Sequence, residues 1–334
     1  MIISSASIAD LLSFAIIIFL ICGSPDINLL PPFLNKSSIL RLTEFGKLSF
    51  WNSSKDRKSY IFIVLTEWLR FKNIMKLNKQ FKEIFNTHDN IYNIIYANIL
   101  FGKNNKDPVL CHFNKETINY FTSVKDINED KINILNKLVD KYINIMKKKY
   151  DTINLDSYAN EYEVIKIKSG DCYCICIKHN PVDTGVIIVK KLYQKIKKRY
   201  NGDANNFISI VWAALFRYKY LNKNYMCTFD EKLLNDLNKK LNIDVDMFSS
   251  LTSCHLKYYC SAFYDLEKYF GSVGTYINFM PISGNFLLMP PYDKWYILNT
   301  IEYMVDILNK STDVSILSAL PIWTHDETIK ANTH

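Results

Sequence analysis

The sequence predicts a mixed α/β protein whose first 150 residues are mainly helical. Between residues 60 and 146, apolar residues recur at three- and four-residue spacing, which is the period of an amphipathic helix. Beyond Tyr162 the pattern changes to alternation of apolar and polar residues, which is typical of strands. The chain has 334 residues, of which 49% are hydrophobic and 22% charged, so it can bury one large core or two ordinary ones.

The chain begins with an apolar run from Leu11 to Cys22, which is too short to span a bilayer as a helix. A secretory signal usually opens with positive charge, whereas the first basic residue here is Lys36. The run is therefore interpreted as a short buried helix or as the product of a misplaced start codon. The alternative is a signal or anchor, with Gly23-Ser24-Pro25 as its cleavage region. Residues 1–59 are predicted to be an irregular lead-in, and membrane association is disfavoured.

Residues 60–160 are predicted to form a helical region. Helices are expected over Tyr60–Phe85, Ile91–Phe101 and Ile132–Met146. Three lysines follow the last of these, and positive charge suits a helix C-terminus. The lysine-rich faces are most simply solvated helix surfaces, and a nucleic-acid platform is the alternative.

Residues 161–334 are predicted to form the second domain, which opens with a hairpin. Ile165 and Ile167 alternate with lysines, and after the turn at Gly170 the cysteines at 172, 174 and 176 would share one face of a strand. Small buried thiols are the simplest interpretation, with metal binding or redox chemistry as alternatives. None of the eight cysteines forms a C-x-x-C pair, so no metal site is predicted and reduced thiols are expected.

A strongly basic helix is predicted from Val189 to Tyr200, followed by helices over Phe207–Leu221 and Asp230–Leu241. The chain has 41 Lys and Arg against 33 Asp and Glu, a formal net charge of +8, which suits a polyanionic partner. A solvated helix face is the alternative for the first helix. The basic residues that would contact such a partner are Lys190, Lys191, Lys195, Lys198, Arg199 and Arg217.

Four short motifs follow one another between residues 258 and 292. They are Tyr259-Cys260-Ser261-Ala262-Phe263, Tyr269-Phe270-Gly271-Ser272-Val273-Gly274, Gly284-Asn285-Phe286 and Met289-Pro290-Pro291-Tyr292. Each motif alone is weak evidence for a family. Together, in this order and spacing, they resemble the motifs of the cap-adenosine methyltransferase domain of the phosphorylated-CTD-interacting-factor family. Pro321-Ile322-Trp323 stands where that family has Pro-Glu-Trp. The resemblance covers roughly half of the chain.

The resemblance implies a Rossmann-like class I methyltransferase fold, complete or incomplete, and S-adenosylmethionine as cofactor. It also implies N6-methylation of the 2'-O-methyladenosine that follows the mRNA cap, in the nucleus. Capped mRNA would then be a partner, and the phosphorylated tail of RNA polymerase II another, although no Trp-Trp module is evident before residue 150. Cytoplasmic location is the alternative, or secretory or membrane location if Leu11 to Cys22 is a true signal.

The candidate catalytic residues are Met289, Pro290, Pro291 and Tyr292, and one of them departs from the family. In adenine-amine methyltransferases the prolines fix the backbone and the aromatic ring stacks on adenine, a role that Tyr292 preserves. Met289 stands in place of the family asparagine, and a thioether is a poor hydrogen-bond acceptor. The expectation is an impaired enzyme, or an inactive protein that binds capped RNA or the polymerase tail. Asp293 is a possible substitute acceptor.

The candidate cofactor-binding residues are Phe270, Gly271, Ser272 and Gly274. Glycines let a backbone approach a ligand closely, and a plain turn is the alternative. The chain ends soon after Trp323, whereas relatives continue with further strands, so a truncated gene model or a degenerate copy is also expected.

Overall fold

The computed structural model describes residues 15–22, 60–102, 107–125, 127–152, 160–221, 231–281, 283–311 and 313–321. The helices are α1 (Tyr60–Phe85), α2 (Tyr92–Phe101), α3 (Lys115–Phe121), α4 (Glu129–Thr152), α5 (Pro181–Thr184), α6 (Lys190–Arg199), α7 (Phe207–Tyr220), α8 (Glu231–Leu241), α9 (Tyr264–Glu267) and α10 (Lys294–Lys310). The strands are β1 (Ala15–Cys22), β2 (Val164–Ser169), β3 (Cys172–Ile177), β4 (Val186–Val189), β5 (Val245–Ser249), β6 (Tyr258–Ser261), β7 (Ser272–Gly274), β8 (Ser283–Leu288) and β9 (Asp313–Pro321).

The chain forms two compact units, and each combines segments that are distant in sequence. The sheet unit comprises residues 1–42, 226–260 and 279–334, and the helical unit comprises residues 43–225 and 261–278. These units do not coincide with the predicted domain boundaries at residues 60 and 161. Residues 161–221 and 261–278 belong to the same compact unit as the described helices between residues 60 and 152.

The sheet unit is built on a mixed sheet with strand order β1-β9-β8-β5-β6. Strand β5 pairs parallel with β8, and β8 pairs parallel with β9. Parallel strands that are buried on both faces have several consecutive apolar residues. Phe286–Leu288 and Ile316–Leu317 show this pattern. The protein is therefore mixed α/β with a parallel sheet, as predicted.

Strand β1 corrects one prediction. Ala15–Cys22 form a strand that pairs antiparallel with β9 along its whole length, from Ala15 opposite Pro321 to Cys22 opposite Val314. The prediction of a short apolar helix is therefore wrong for these residues. Isoleucine and phenylalanine favour strands, and an available strand edge decides between the two structures for so short an apolar run. The predicted irregular lead-in lies outside the described residues.

The helical unit contains α1 to α7, the short helix α9 and a three-stranded antiparallel sheet of order β2-β3-β4. The hairpin is confirmed, with Val164 opposite Ile177 and Ser169 opposite Cys172. Helix α1 has the predicted bounds, and α4 extends the predicted helix at both ends. The core includes Leu77, Phe81, Ile94, Leu135 and Trp212, which are all 0% exposed.

Candidate functional site

The Met-Pro-Pro-Tyr segment directly follows β8, and the start of β8 is fixed against β5. Gly284 has a φ of 122°, and a Cβ at this position would lie 2.8 Å from Oδ2 of Asp244. The same Oδ2 accepts the Asn285 N–H at 3.0 Å, and the Asn285 carbonyl accepts the Asp244 N–H at 2.8 Å. Glycine is therefore required at position 284, and the Gly-Asn-Phe motif sets the register in which β8 delivers the next four residues.

Met289 lies in the hydrophobic core of the sheet unit. Its side chain is 3% exposed and belongs to an apolar cluster with residues of β8, β9 and α8. The buried members are Leu234, Ile243, Leu256, Leu287, Met289, Leu317 and Ala319. Its thioether is therefore surrounded by hydrocarbon and supplies no hydrogen-bond acceptor to a ligand. The family asparagine role has no counterpart at this position.

The residues after Met289 form a tight turn into α10. The Pro291 carbonyl accepts the Asp293 N–H at 2.8 Å, and Oδ1 of Asp293 accepts the Trp295 N–H at 2.9 Å. Asp293 is thus the N-cap of α10, a role that aspartate favours because it satisfies a free helix N–H. Its carboxylate is engaged there, which argues against its acting as a substitute for the asparagine. Tyr292 is partly exposed, as a stacking role requires.

A buried cluster of hydroxyl groups lies at the carboxyl end of β5, the parallel neighbour of β8. Oγ of Ser253 lies 2.9 Å from Oγ of Ser250 and 3.2 Å from Oγ of Ser249, and it accepts the Ser250 N–H at 3.0 Å. Ligands of parallel α/β sheets bind outside the carboxyl ends of the strands. The sequence analysis did not select these residues, although serines that directly follow a buried strand are a recognisable signal.

Asp246 is a second polar group in β5 that the sequence analysis did not select. It is 2% exposed, it lies opposite Leu287 of β8, and Oδ1 accepts the Phe248 N–H at 3.1 Å. Burial raises the pKa of this carboxyl group to about 7, because desolvation penalises the charged form, although hydrogen bonds from Phe248 and Ser249 oppose the shift. Asp246 can therefore change protonation state near neutral pH.

In the helical unit, the predicted cofactor residues form a glycine-bounded turn. Gly271 ends a 3-10 turn with φ of 102°, and Gly274 has φ of 150° at the end of β7. A Cβ at Gly274 would have no heavy atom within 4 Å, so the backbone faces open space. Oγ of Ser272 lies 2.8 Å from Oγ of Ser261. Space and positive φ at Gly274 are compatible with close approach of a ligand.

The predicted basic helix is confirmed as α6, and its side chains differ in exposure. Lys191 and Lys198 are exposed, whereas Lys190, Lys195 and Arg199 are partly buried. Nε of Arg199 donates to the Phe270 carbonyl at 3.1 Å, so the structure brings α6 together with the predicted cofactor turn. Arg199 therefore has a structural partner in addition to any role in RNA binding.

Arg217 is the RNA-binding candidate that the structure contradicts. Its side chain is 0% exposed in α7, and its guanidinium forms ion pairs with Glu67 at 2.6 Å and with Asp265 at 2.7 Å. A phosphate cannot reach a cation that is enclosed in this way. Sequence reasoning missed this arrangement because Glu67 is 150 residues away in the chain.

The Pro321-Ile322-Trp323 segment begins at the last residue of β9. Ser318 in β9 donates its hydroxyl hydrogen to the Leu288 carbonyl at 3.2 Å, whereas Ile322 and Trp323 lie outside the described residues.

The described part of the chain contains no group of three metal-ligating side chains. Its helices include none that is long and apolar enough to cross a membrane.

Comparison with known proteins gives one family, and the curated relatives that match include two methyltransferases. Residues 189–333 match the family described as phosphorylated CTD interacting factor 1 WW domain. Over 130 residues the chain is 27% identical to the mRNA (2'-O-methyladenosine-N(6)-)-methyltransferases of Mus musculus and Homo sapiens. Each match covers 36% of this chain and 18% of the relative, so the chain corresponds to less than a fifth of their length. The matched segment contains the basic helix and all four motifs, so the similarity to this family covers the part of the chain in which the sequence resemblance was found.

Proposed function

We propose that this protein is a Rossmann-like methyltransferase that acts on the adenosine next to an mRNA cap, with S-adenosylmethionine as methyl donor. The observation that carries the proposal is the Met-Pro-Pro-Tyr segment at the carboxyl end of the parallel strand β8, within the segment that matches the family. The strand order β9-β8-β5-β6, with β1 antiparallel at the edge, supports the fold class.

The residues of the helical unit that would hold the cofactor are Phe270, Gly271, Ser272 and Gly274. The open space beside Gly274 and its positive φ fit this role. S-adenosylmethionine, when bound, supplies an electrophilic methyl group on a sulfonium. The Phe270–Gly274 backbone would contribute binding and orientation.

The residues of the sheet unit that would hold the adenine are Pro290, Pro291 and Tyr292. The prolines fix the backbone, and the partly exposed Tyr292 ring offers a stacking surface for the base. Met289 supplies no acceptor for the adenine amine. Loss of one preorganised hydrogen-bonding group costs about 3 kcal/mol at a transition state, so turnover roughly a hundred- to a thousandfold below that of an asparagine-containing site is expected.

RNA would be bound through phosphate contacts with α6. Lys191 and Lys198 are the exposed candidates, and Lys190 and Lys195 are partly exposed beside them. Such contacts weaken as salt concentration rises. An interaction with the phosphorylated polymerase tail is a further proposal, supported by the family description, and a nuclear location is proposed as its consequence.

The test is transfer of a labelled methyl group from S-adenosylmethionine to a capped RNA that begins with 2'-O-methyladenosine. The wild type, Tyr292→Ala and Met289→Asn are compared, with an otherwise identical RNA beginning with guanosine as the substrate control. Wild-type transfer that Tyr292→Ala abolishes would support the enzyme. Transfer by Met289→Asn alone would identify an inactive relative on an intact scaffold. If the wild type binds neither S-adenosylmethionine nor capped RNA, the proposal is wrong.

A further inference from the structure

Residues 263–274 of the helical unit, called the loop segment below, run from Phe263 to Gly274 and contain the predicted cofactor turn. The regular elements of the segment are all short, namely the four-residue helix α9, a three-residue 3-10 turn and the three-residue strand β7. So few local hydrogen bonds do not fix a backbone by themselves. Its conformation must therefore depend on contacts with other elements.

The principal contact is with Arg217 of α7. Nη1 and Nη2 of Arg217 donate to the two carboxylate oxygens of Asp265 at 2.7 and 3.0 Å. The same guanidinium donates to both oxygens of Glu67 in α1, from Nε at 2.9 Å and from Nη2 at 2.6 Å. Exposure of the three side chains is between 0% and 5%. One planar cation thus connects the loop segment to α1, and all three side chains are almost fully shielded from solvent.

Three further contacts hold the loop segment on either side of Asp265. The Tyr218 hydroxyl donates to Oε1 of Glu267 at 2.7 Å, and the Arg217 guanidinium lies 4.9 Å from the centre of the Phe263 ring. The Tyr269 carbonyl accepts the Asn201 N–H at 3.0 Å. Together with the bond from Arg199 to Phe270, these contacts anchor the segment up to the residue before Gly271.

The network continues away from the loop segment. Nη1 of Arg70 donates to Glu67 at 3.2 Å, and Nη2 of Arg70 donates to Asp107 at 2.8 Å. The Tyr220 hydroxyl also donates to Glu67. Asp107 and Asp265 are therefore buried aspartates in the same network, but only Asp265 belongs to the loop segment.

We propose that Arg217 is a positioning residue that holds the loop segment in the conformation that binds ligand at Gly271–Gly274. Helix α1 is then a part of that ligand site, acting through Glu67. The chemical reason for arginine is that its planar fork satisfies two carboxylates with fixed geometry, which the single ammonium of lysine cannot do. The identity of the ligand, S-adenosylmethionine, rests on the proposed function, whereas the positioning of the segment does not.

The experiment compares Asp265→Asn with the matched control Asp107→Asn. Both variants remove one charge from a buried aspartate of the same network. Hydrogen–deuterium exchange of the ligand-free, full-length protein is measured over residues 264–274, together with Tm and the Kd for S-adenosylmethionine. Asp265→Asn is expected to accelerate exchange in the segment. If the competent conformation falls to a tenth, the apparent Kd rises about tenfold. Asp107→Asn is expected to lower Tm but to leave segment exchange and Kd at wild-type values.

The inference is overturned if Asp265→Asn leaves exchange in the segment unchanged, or if Asp107→Asn accelerates it equally. Arg217→Lys is the second variant, and it keeps the positive charge while removing the fork. It is expected to resemble Asp265→Asn, and wild-type exchange in Arg217→Lys would contradict the proposed geometry. Failure of the wild type to bind S-adenosylmethionine would remove the cofactor assignment alone, because the exchange data need no ligand.

Discussion

At the scale of single residues, the packing around Met289 determines how replacement of this residue by asparagine affects stability. The side chain is buried among leucines, so an asparagine at this position would place an amide in hydrocarbon. Met289→Asn is expected to lower the free energy of unfolding by about 1–3 kcal/mol, because a buried amide without partners loses its hydration. Urea denaturation measures this change.

Met289→Leu is the control for that prediction, since it conserves volume and polarity. It is expected to cost less than about 1.5 kcal/mol. Equal stability of Met289→Asn and the wild type would show that the amide finds partners, contrary to the observed packing. Methyl-transfer rates of Met289→Asn should therefore be measured at a temperature where the variant is fully folded.

Asp246 gives a prediction for pH. In the folded protein its carboxyl group keeps a proton up to about pH 7, whereas an ordinary aspartate loses it near pH 4. Between these values the folded state binds more protons than the unfolded state, so this group makes the free energy of unfolding fall as pH rises. The slope is up to about 1.4 kcal/mol per pH unit. The contribution is fully present below the unfolded pKa and is lost as pH rises through the folded pKa.

Asp246→Asn isolates this contribution, because other groups titrate equally in both proteins. Urea denaturation of the wild type and the variant between pH 4 and pH 8 gives the difference. The wild type is expected to lose more stability than the variant across this range. Parallel curves for the two proteins would exclude a raised pKa for Asp246.

At the scale of elements, α6 is predicted to contact RNA, and it also bonds to the loop segment through Arg199. Replacing Lys191 and Lys198 by glutamine is expected to weaken binding to capped RNA and to reduce the slope of log K against log salt by about 1.4, or about 0.7 per single-strand phosphate contact. Fluorescence anisotropy at several salt concentrations measures both. Tm should not change, because both side chains are exposed.

The control for α6 is the replacement of Lys76 and Lys79 in α1 by glutamine, which removes the same charge elsewhere in the helical unit. An equal loss of RNA affinity in both double variants would indicate a general electrostatic effect and would contradict a specific role for α6. Arg199 is unsuitable for this experiment, because its side chain also bonds to the Phe270 carbonyl.

At the scale of the whole molecule, the Glu67–Arg217–Asp265 network joins segments that are far apart in sequence. Arg217→Met is expected to lower the free energy of unfolding by about 3–5 kcal/mol, because it leaves the Asp265 carboxylate without its ion-pair partner and leaves Glu67 with Arg70 alone. Addition of Glu67→Gln and Asp265→Asn to Arg217→Met is expected to recover part of this loss. Chemical denaturation of the single and triple variants measures both effects. A triple variant less stable than Arg217→Met would contradict this account.

Much of the local structure followed from the sequence. The bounds of α1, the hairpin β2–β3 and the basic helix α6 were predicted correctly, because periodicity reflects which face of an element is buried. Strand β1 was predicted incorrectly, since a short apolar run fits either a helix or a strand until its neighbour is known. The serine cluster after β5 and the buried Asp246 were not selected, because their significance depends on the parallel pairing of β5 with β8.

The sequence by itself determined the similarity of residues 189–333 to the family, the order of the motifs and the presence of methionine at position 289. These are properties of residue identity and spacing along the chain. Tertiary structure decided that Met289 packs into the core and that Arg217 is buried against carboxylates. It also decided that Asp293 caps a helix. The burial of Met289 and Arg217 depends on contacts between residues distant in sequence, and burial changes whether a charge or a thioether is available to a ligand.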